Sequence, residues 1–134
     1  MILGLGADFC EIERIREAIE RRREAFLHRL FTDRELSQMP NCHLRDATVF
    51  AVGFAAKEAA AKALGTGITR WVGWHDFTIE LEEPARPLLL ISGGAQRKLQ
   101  RLTPAGQTAV VHLTTAVRGA YASAFVVLEA RCCR

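Results

Sequence analysis

Phe54-Ala55-Ala56-Lys57-Glu58-Ala59-Ala60-Ala61-Lys62-Ala63-Leu64-Gly65-Thr66-Gly67-Ile68 is the stretch whose reading decides the fold. Alanine has the highest helix propensity, and Gly65 stands where a helix end favours a residue tolerant of the left-handed conformation, so a long helix is expected from near Thr48 to Leu64. Glu58 and Lys62 then share a face, and an ion pair at this spacing on a surface contributes roughly 0.2–0.5 kcal/mol. The neighbours, however, are small and apolar nearly all the way round. That predicts a helix buried on most sides, where a charge is costly unless it is paired or holds a ligand. Gly65-Thr66-Gly67 adds a segment whose backbone can approach a phosphate and whose hydroxyl can bond one.

Working outward, 134 residues fit one domain, 1–134, which at this size buries about two-thirds of its unfolded surface. Hydrophobic residues at 49% and charged residues at 25% exclude a disordered chain. The longest apolar runs, Leu88 to Ile91 and Ala124 to Leu128, are strand-length, so no membrane span is expected. The N-terminus does not read as a signal peptide, and a cytoplasmic protein is the expectation. The four cysteines, Cys10, Cys42, Cys132 and Cys133, lack zinc-ligand spacing and read as free thiols. A net charge of +3 is too mild to point to nucleic acid.

Ile2 to Phe9, broken by Gly4 and Gly6, predicts a buried strand that another element approaches closely. Asp8 at its end is a helix N-cap or a metal ligand, and the residues alone favour the cap. A helix from Glu11 to about Arg29 follows, with Ile12, Ile15, Ile19, Phe26 and Leu30 as its apolar stripe and many arginines on its surface. Such a run is ordinarily a solvated face, and no aromatic residues interleave it as nucleic-acid binding would need. Thr32-Asp33-Arg34-Glu35 is a capping box that starts a short helix ending before Pro40. A polar connection, Asn41 to Asp46, holds Cys42 and His43. Trp74 to Glu82 alternates as a half-buried strand, Pro84 and Pro87 bracket a turn, and Leu88 to Ile91 is the next strand. Gly93-Gly94 opens a helix through Leu99, and Ala109 to Thr114 and Tyr121 to Leu128 are the last strands. The order predicts an α+β fold: an antiparallel sheet packed with a long central helix.

The residues from Phe54 to Ile68, together with Gly4-Leu5-Gly6-Ala7-Asp8, Glu11-Ile12-Glu13-Arg14-Ile15, Arg29-Leu30-Phe31-Thr32 and the strand Tyr121 to Glu129, resemble the holo-[acyl-carrier-protein] synthases, the small bacterial phosphopantetheinyl transferases. The resemblance spans most of the chain. It implies that family's fold and the transfer of 4'-phosphopantetheine from coenzyme A to a serine of an apo acyl carrier protein, dependent on Mg²⁺ and releasing 3',5'-ADP. It implies Asp8 and Glu58 as metal ligands, reversing the preference for a cap at Asp8. Glu58, or a water it orients, would accept the serine proton, and Lys62 would stabilise phosphate charge. Gly65, Thr66 and Gly67 would meet coenzyme A, and Lys57 would meet the nucleotide or be solvated. The basic first helix becomes a docking face for the acidic carrier, with Arg14 and Arg21 as its contacts. The implied assembly is a homotrimer with active sites at subunit interfaces.

The chain departs from the family pattern at Gly53, where an arginine is usual, and at Val117, where a histidine is expected. The segment Ala116 to Ala120 is also more apolar than usual. His112 is a family-like strand residue and does not replace the missing one. These departures keep open a second function, a repurposed paralogue or carrier-binding module with weak or no transfer.

Overall fold

A computed structural model describes residues 1–22, 24–39, 47–82 and 86–133. The expected α+β fold is present. Strand β1 (Ile2–Glu11) leads into helices α1 (Ile12–Arg22), α2 (Glu24–Leu30) and α3 (Asp33–Gln38). The long helix α4 (Ala47–Ala63) follows, then β2 (Phe77–Glu82), β3 (Arg86–Ile91), α5 (Gly93–Leu102), β4 (Gln107–Arg118) and β5 (Tyr121–Cys132). Strand β5 is central in an antiparallel sheet ordered β1-β5-β4, and β2 pairs with β3 in a second antiparallel sheet. Among the described residues no helix is long and apolar enough to cross a membrane.

Helix α4 is the axis of the core. Ala47, Ala51, Ala55, Ala56, Ala59 and Ala60 are buried along it. Against it lies the inner face of β5, with Ala122, Ala124, Val126, Leu128 and Ala130 buried at alternate positions. Strand β1 crosses the same helix at backbone contact. A Cβ on Gly6 would sit 1.9 Å from the Ala59 carbonyl oxygen, and one on Gly4 equally close to that of Ala63, so only glycine lets the strand lie this near. This contact fixes where Asp8 sits relative to α4.

Several boundaries differ from the sequence reading for identifiable reasons. Strand β1 is buried on one side only, with Leu5 58% and Phe9 76% exposed, because the sheet has a helix layer on a single face. The first helix starts one residue later, since Glu11 still pairs with Tyr121, and it is described as two segments on either side of residue 23. Pro87 belongs to β3, opposite Leu81, rather than to a turn. Helix α5 and strands β4 and β5 run longer than expected. The expected Thr32–Glu35 capping box is formed. Cys10, Cys132 and Cys133 are free thiols, whereas the connection holding Cys42 and His43, and Pro84, lie outside the described residues.

Candidate active site

Three charged side chains from the two elements that touch through Gly4 and Gly6 come together. The four-residue spacing places Glu58 and Lys62 on one face of α4. Lys62 reaches across to β1, where its Nζ donates to Asp8 Oδ1 at 2.8 Å and to the Ala7 carbonyl at 3.4 Å. Lys62 thus bonds Asp8 of β1, 54 residues away, in keeping with the expectation that these charges are more than a surface pair. Lys62 is half exposed and Asp8 mostly covered.

The electrostatics follow from this crowding. Removal from water raises the Glu58 carboxyl above its usual range, the nearby Asp8 charge raises it further, and Lys62 partly offsets both. The bond to Asp8 raises Lys62 and keeps it a cation. Two carboxylates held near each other, with one lysine bonded to Asp8, favour further positive charge. Among the described residues no three His, Cys, Asp or Glu side chains gather in one place. A cation here would therefore have two protein carboxylates and complete its shell from ligand oxygens and water. That donor set fits Mg²⁺, a hard ion that keeps several waters, and Lys62 engages only one Asp8 oxygen.

Lys57 has a different role from the one expected. It is fully buried, so it is not solvated. Its ammonium donates to Glu35 Oε1 at 2.7 Å, to the Leu30 carbonyl at 2.7 Å and to the Trp74 carbonyl at 3.3 Å, and it lies 4.8 Å from the Phe31 ring centroid. All three protons are taken inside the protein, leaving none for a nucleotide. Burial lowers the lysine's affinity for its proton, and Glu35 opposes that shift. Glu35 also accepts from the Thr32 and Ile79 backbone N–H groups, tying α3, α4 and β2 at one point.

The Gly65–Gly67 loop is likewise committed. The N–H groups of Gly65, Thr66 and Gly67 donate to the Lys62 and Ala61 carbonyls, closing the end of α4, with Gly65 and Gly67 at positive φ. The loop therefore offers a ligand no free backbone donors. Thr66 Oγ1 donates to the Gly67 carbonyl and keeps its acceptor side.

Residues 4–124 match the 4'-phosphopantetheinyl transferase superfamily. The chain belongs to that superfamily. It is 45% identical to a holo-[acyl-carrier-protein] synthase of Methylobacterium nodulans over 97% of this chain and 98% of the relative. Its fold matches the crystal structure of the Neisseria meningitidis holo-[acyl-carrier-protein] synthase with a TM-score of 0.82 and 31% identity, over 96% of this chain and 99% of that one. It also matches the Bacillus anthracis synthase solved in complex with coenzyme A (3',5'-ADP), at a TM-score of 0.76 and 31% identity, covering 98% and 99%.

The remaining expected positions of this transferase are placed as follows. Arg14 and Arg21 are exposed two turns apart on α1, and with Arg22 and Phe26 they line one cleft of about 280 Å³. Neither pairs with an acid among the described residues, whereas Arg16 is bound to Glu13. Gly53 faces the core: a Cβ there would meet Phe31 Cε1 at 2.6 Å, so an arginine at this position has no room to reach a ligand. Val117 stands exposed near the end of β4, opposite Ala122. His112 Nε2 lies 2.8 Å from Glu129 Oε2, which also accepts from Arg131.

Proposed function

We propose that this cytoplasmic enzyme transfers the 4'-phosphopantetheine group of coenzyme A to a serine hydroxyl of an apo acyl carrier protein. The observation that carries the reading is the convergence of Asp8, Glu58 and Lys62 within a chain of this family. The serine oxygen attacks the phosphorus that carries pantetheine. A new O–P bond forms, the bond to the bridging diphosphate oxygen breaks, and 3',5'-ADP leaves with the electron pair. Glu58, or a water it orients, takes the serine proton. In the metal-free site, loss of water and the Asp8 charge raise this carboxyl above its usual range. Lys62, held in place by Asp8, meets the charge on the departing phosphate. Asp8 and Glu58 would hold Mg²⁺, which supplies charge neutralisation on the diphosphate when bound. Coenzyme A passes the Thr66 hydroxyl beyond the end of α4.

The acidic carrier docks on the α1 face through Arg14 and Arg21, which are exposed, share a cleft with Glu17 and Arg22, and are in no ion pair among the described residues. The assembly is a homotrimer with sites at subunit interfaces. Its support is the bare outer face of the β1-β5-β4 sheet, where the large apolar side chains Leu5, Phe9, Tyr121 and Phe125 are exposed together. Phe9 follows Asp8 on the same edge strand, with Phe9 on the outer face and Asp8 bonded to Lys62 on the helix side.

The test is incubation with coenzyme A, Mg²⁺ and apo carrier proteins, read by the mass gain of a phosphopantetheinyl arm. Transfer that disappears in Asp8→Ala and Glu58→Ala supports the reading. No mass gain on any carrier, with coenzyme A still bound, replaces it with the carrier-binding module.

A further inference from the structure

At the end of β5 the adjacent thiols of Cys132 and Cys133 are exposed, whereas Cys10 is buried. Register makes the two unequal. Cys132 pairs with Gln107, and among the described residues its sulfur meets no partner. Cys133 Sγ lies 3.0 Å from Thr108 Oγ1. Either atom can donate while the thiol holds its proton, but to a thiolate only the hydroxyl can, so Thr108 is placed to hold an attacking sulfur. Thr108 pairs with Arg131, two residues before Cys133 and therefore on its face of the extended chain. Arg131 is more than half exposed, and its bond to Glu129 leaves it further N–H donors. Glu129 is shared with His112, and the sequence puts a second arginine, Arg134, directly after Cys133. Thr108 also walls a cleft of about 690 Å³ between β3, α5 and β4. No charged side chain lines it, and the amides of Gln96, Gln100 and Gln107 meet no partner among the described residues. Free amides in an uncharged wall suit a ligand with amides of its own.

We propose that Cys133 is a thiol–disulfide exchange site for anionic, amide-bearing disulfides of low molecular mass. The Cys133 thiolate attacks one sulfur of the disulfide, and a new S–S bond to the protein forms as the old one breaks. The other half leaves as a thiolate with the electron pair, so the ligand is the oxidant and Cys133 is oxidised. Thr108 holds the attacking sulfur, Arg131 meets the negative charge and the glutamines take the amides. Closure onto Cys132 does not follow. Adjacent Cα atoms stand about 3.8 Å apart, short of the roughly 4.4–6.8 Å that a disulfide spans, so the mixed disulfide is the product. Asp8 pairs with Ala124, nine residues and about 30 Å of strand before Cys133, which sets this site apart from the proposed reaction centre of the same chain. The exchange does not depend on the transferase reading.

The experiment follows the full chain with oxidised glutathione, coenzyme A disulfide or cystamine, a cationic disulfide without amides, by intact mass and peptide mapping over time. Wild type should gain one half-disulfide on Cys133, with cystamine about 5-fold slower or more, the effect of one unit charge near 4 Å in water. Cys133→Ser should lose the adduct and Cys132→Ser keep it. Arg131→Gln, which also frees the Glu129 carboxylate, should close the gap between the anionic disulfides and cystamine. Gln96→Ala with Gln100→Ala should slow the two amide-bearing disulfides and leave cystamine unchanged. A faster reaction with one of these two supports the site and names its source, a peptide thiol or the coenzyme's own. An adduct on any other cysteine, an internal Cys132–Cys133 disulfide, a covalent dimer, no adduct at all or cystamine reacting as fast overturns the proposal. Cys133→Ser should transfer phosphopantetheine like wild type. A wild type that forms the Cys133 adduct but transfers nothing overturns the transferase reading alone.

Discussion

Lys62 donates to Asp8 across 54 residues of sequence, at 2.8 Å, and this bond joins the long helix to the edge strand at the proposed reaction centre. Because Lys62 is half exposed, the pair contributes only about 0–1 kcal/mol to stability. Its larger effect belongs to charge placement. Lys62→Ala should melt close to wild type and lower single-turnover transfer by about 10²–10³-fold. Near-normal transfer at saturating coenzyme A would remove Lys62 from the mechanism.

Glu58 gives a prediction in which stability and function oppose each other. Its carboxyl is raised above the usual 4.5, first by loss of water and then by Asp8. A group raised on folding adds stability when protonated, in full below its unfolded value and lost as pH rises through its folded value. At neutral pH the ionised group therefore costs stability in metal-free protein. Glu58→Gln should melt above wild type at pH 7, with the gap closing below pH 4.5, while transfer is lost. An equal melting temperature at both pH values would show that Glu58 is not strained by its surroundings.

The Lys57–Glu35 pair should behave in the opposite way. Removing one partner leaves a buried uncompensated charge, at a cost of about 3–5 kcal/mol. Glu35→Gln and Lys57→Met should each unfold at much lower denaturant, and the double replacement by apolar residues should recover part of the loss. The KM for coenzyme A, measured on the folded fraction, should not move. A raised KM with little loss of stability would return Lys57 to the ligand.

The proposed trimer makes the sheet face its weak point. Leu5→Arg and Phe125→Arg place a charge among exposed apolar side chains that need no packing within the monomer. Each should leave a folded monomer in analytical ultracentrifugation, against a trimer for wild type. A wild-type monomer at micromolar concentration sinks the assembly.

These residues also show what the sequence could and could not convey. Local signals carried through: the Thr32–Glu35 box, the alanine helix and the two glycines of β1 each state their requirement within a few positions. The Glu58–Lys62 face was readable for the same reason. The Lys57–Glu35 bond was not, since its partners are 22 residues apart and the carbonyls of Leu30 and Trp74 complete it. A lysine in a helix carries no mark of burial on its own. The bare face of β1 escaped because an apolar run reads alike whether it meets a core or another subunit.

Gly53 and Val117, the two departures from the family pattern, call for different experiments because they occupy different surroundings. Val117 is exposed near the end of β4, so Val117→His should change stability by no more than about 0.5 kcal/mol. If the position faces the neighbouring subunit's reaction centre in the trimer, an imidazole there adds a hydrogen-bonding and proton-transfer group, and single-turnover transfer should accelerate. Gly53 is instead closed off by the Phe31 ring, at 2.6 Å from a built Cβ, and shares its side of α4 with Lys57 four residues on. Gly53→Arg should overpack that site, costing about 1–3 kcal/mol, and add a second cation beside a buried one. It should slow or leave unchanged the transfer that Val117→His speeds. The check is melting temperature and single-turnover transfer for both single variants and the double. A Gly53→Arg protein that melts like wild type and transfers faster would mean that Phe31 yields and that the arginine reaches the nucleotide after all.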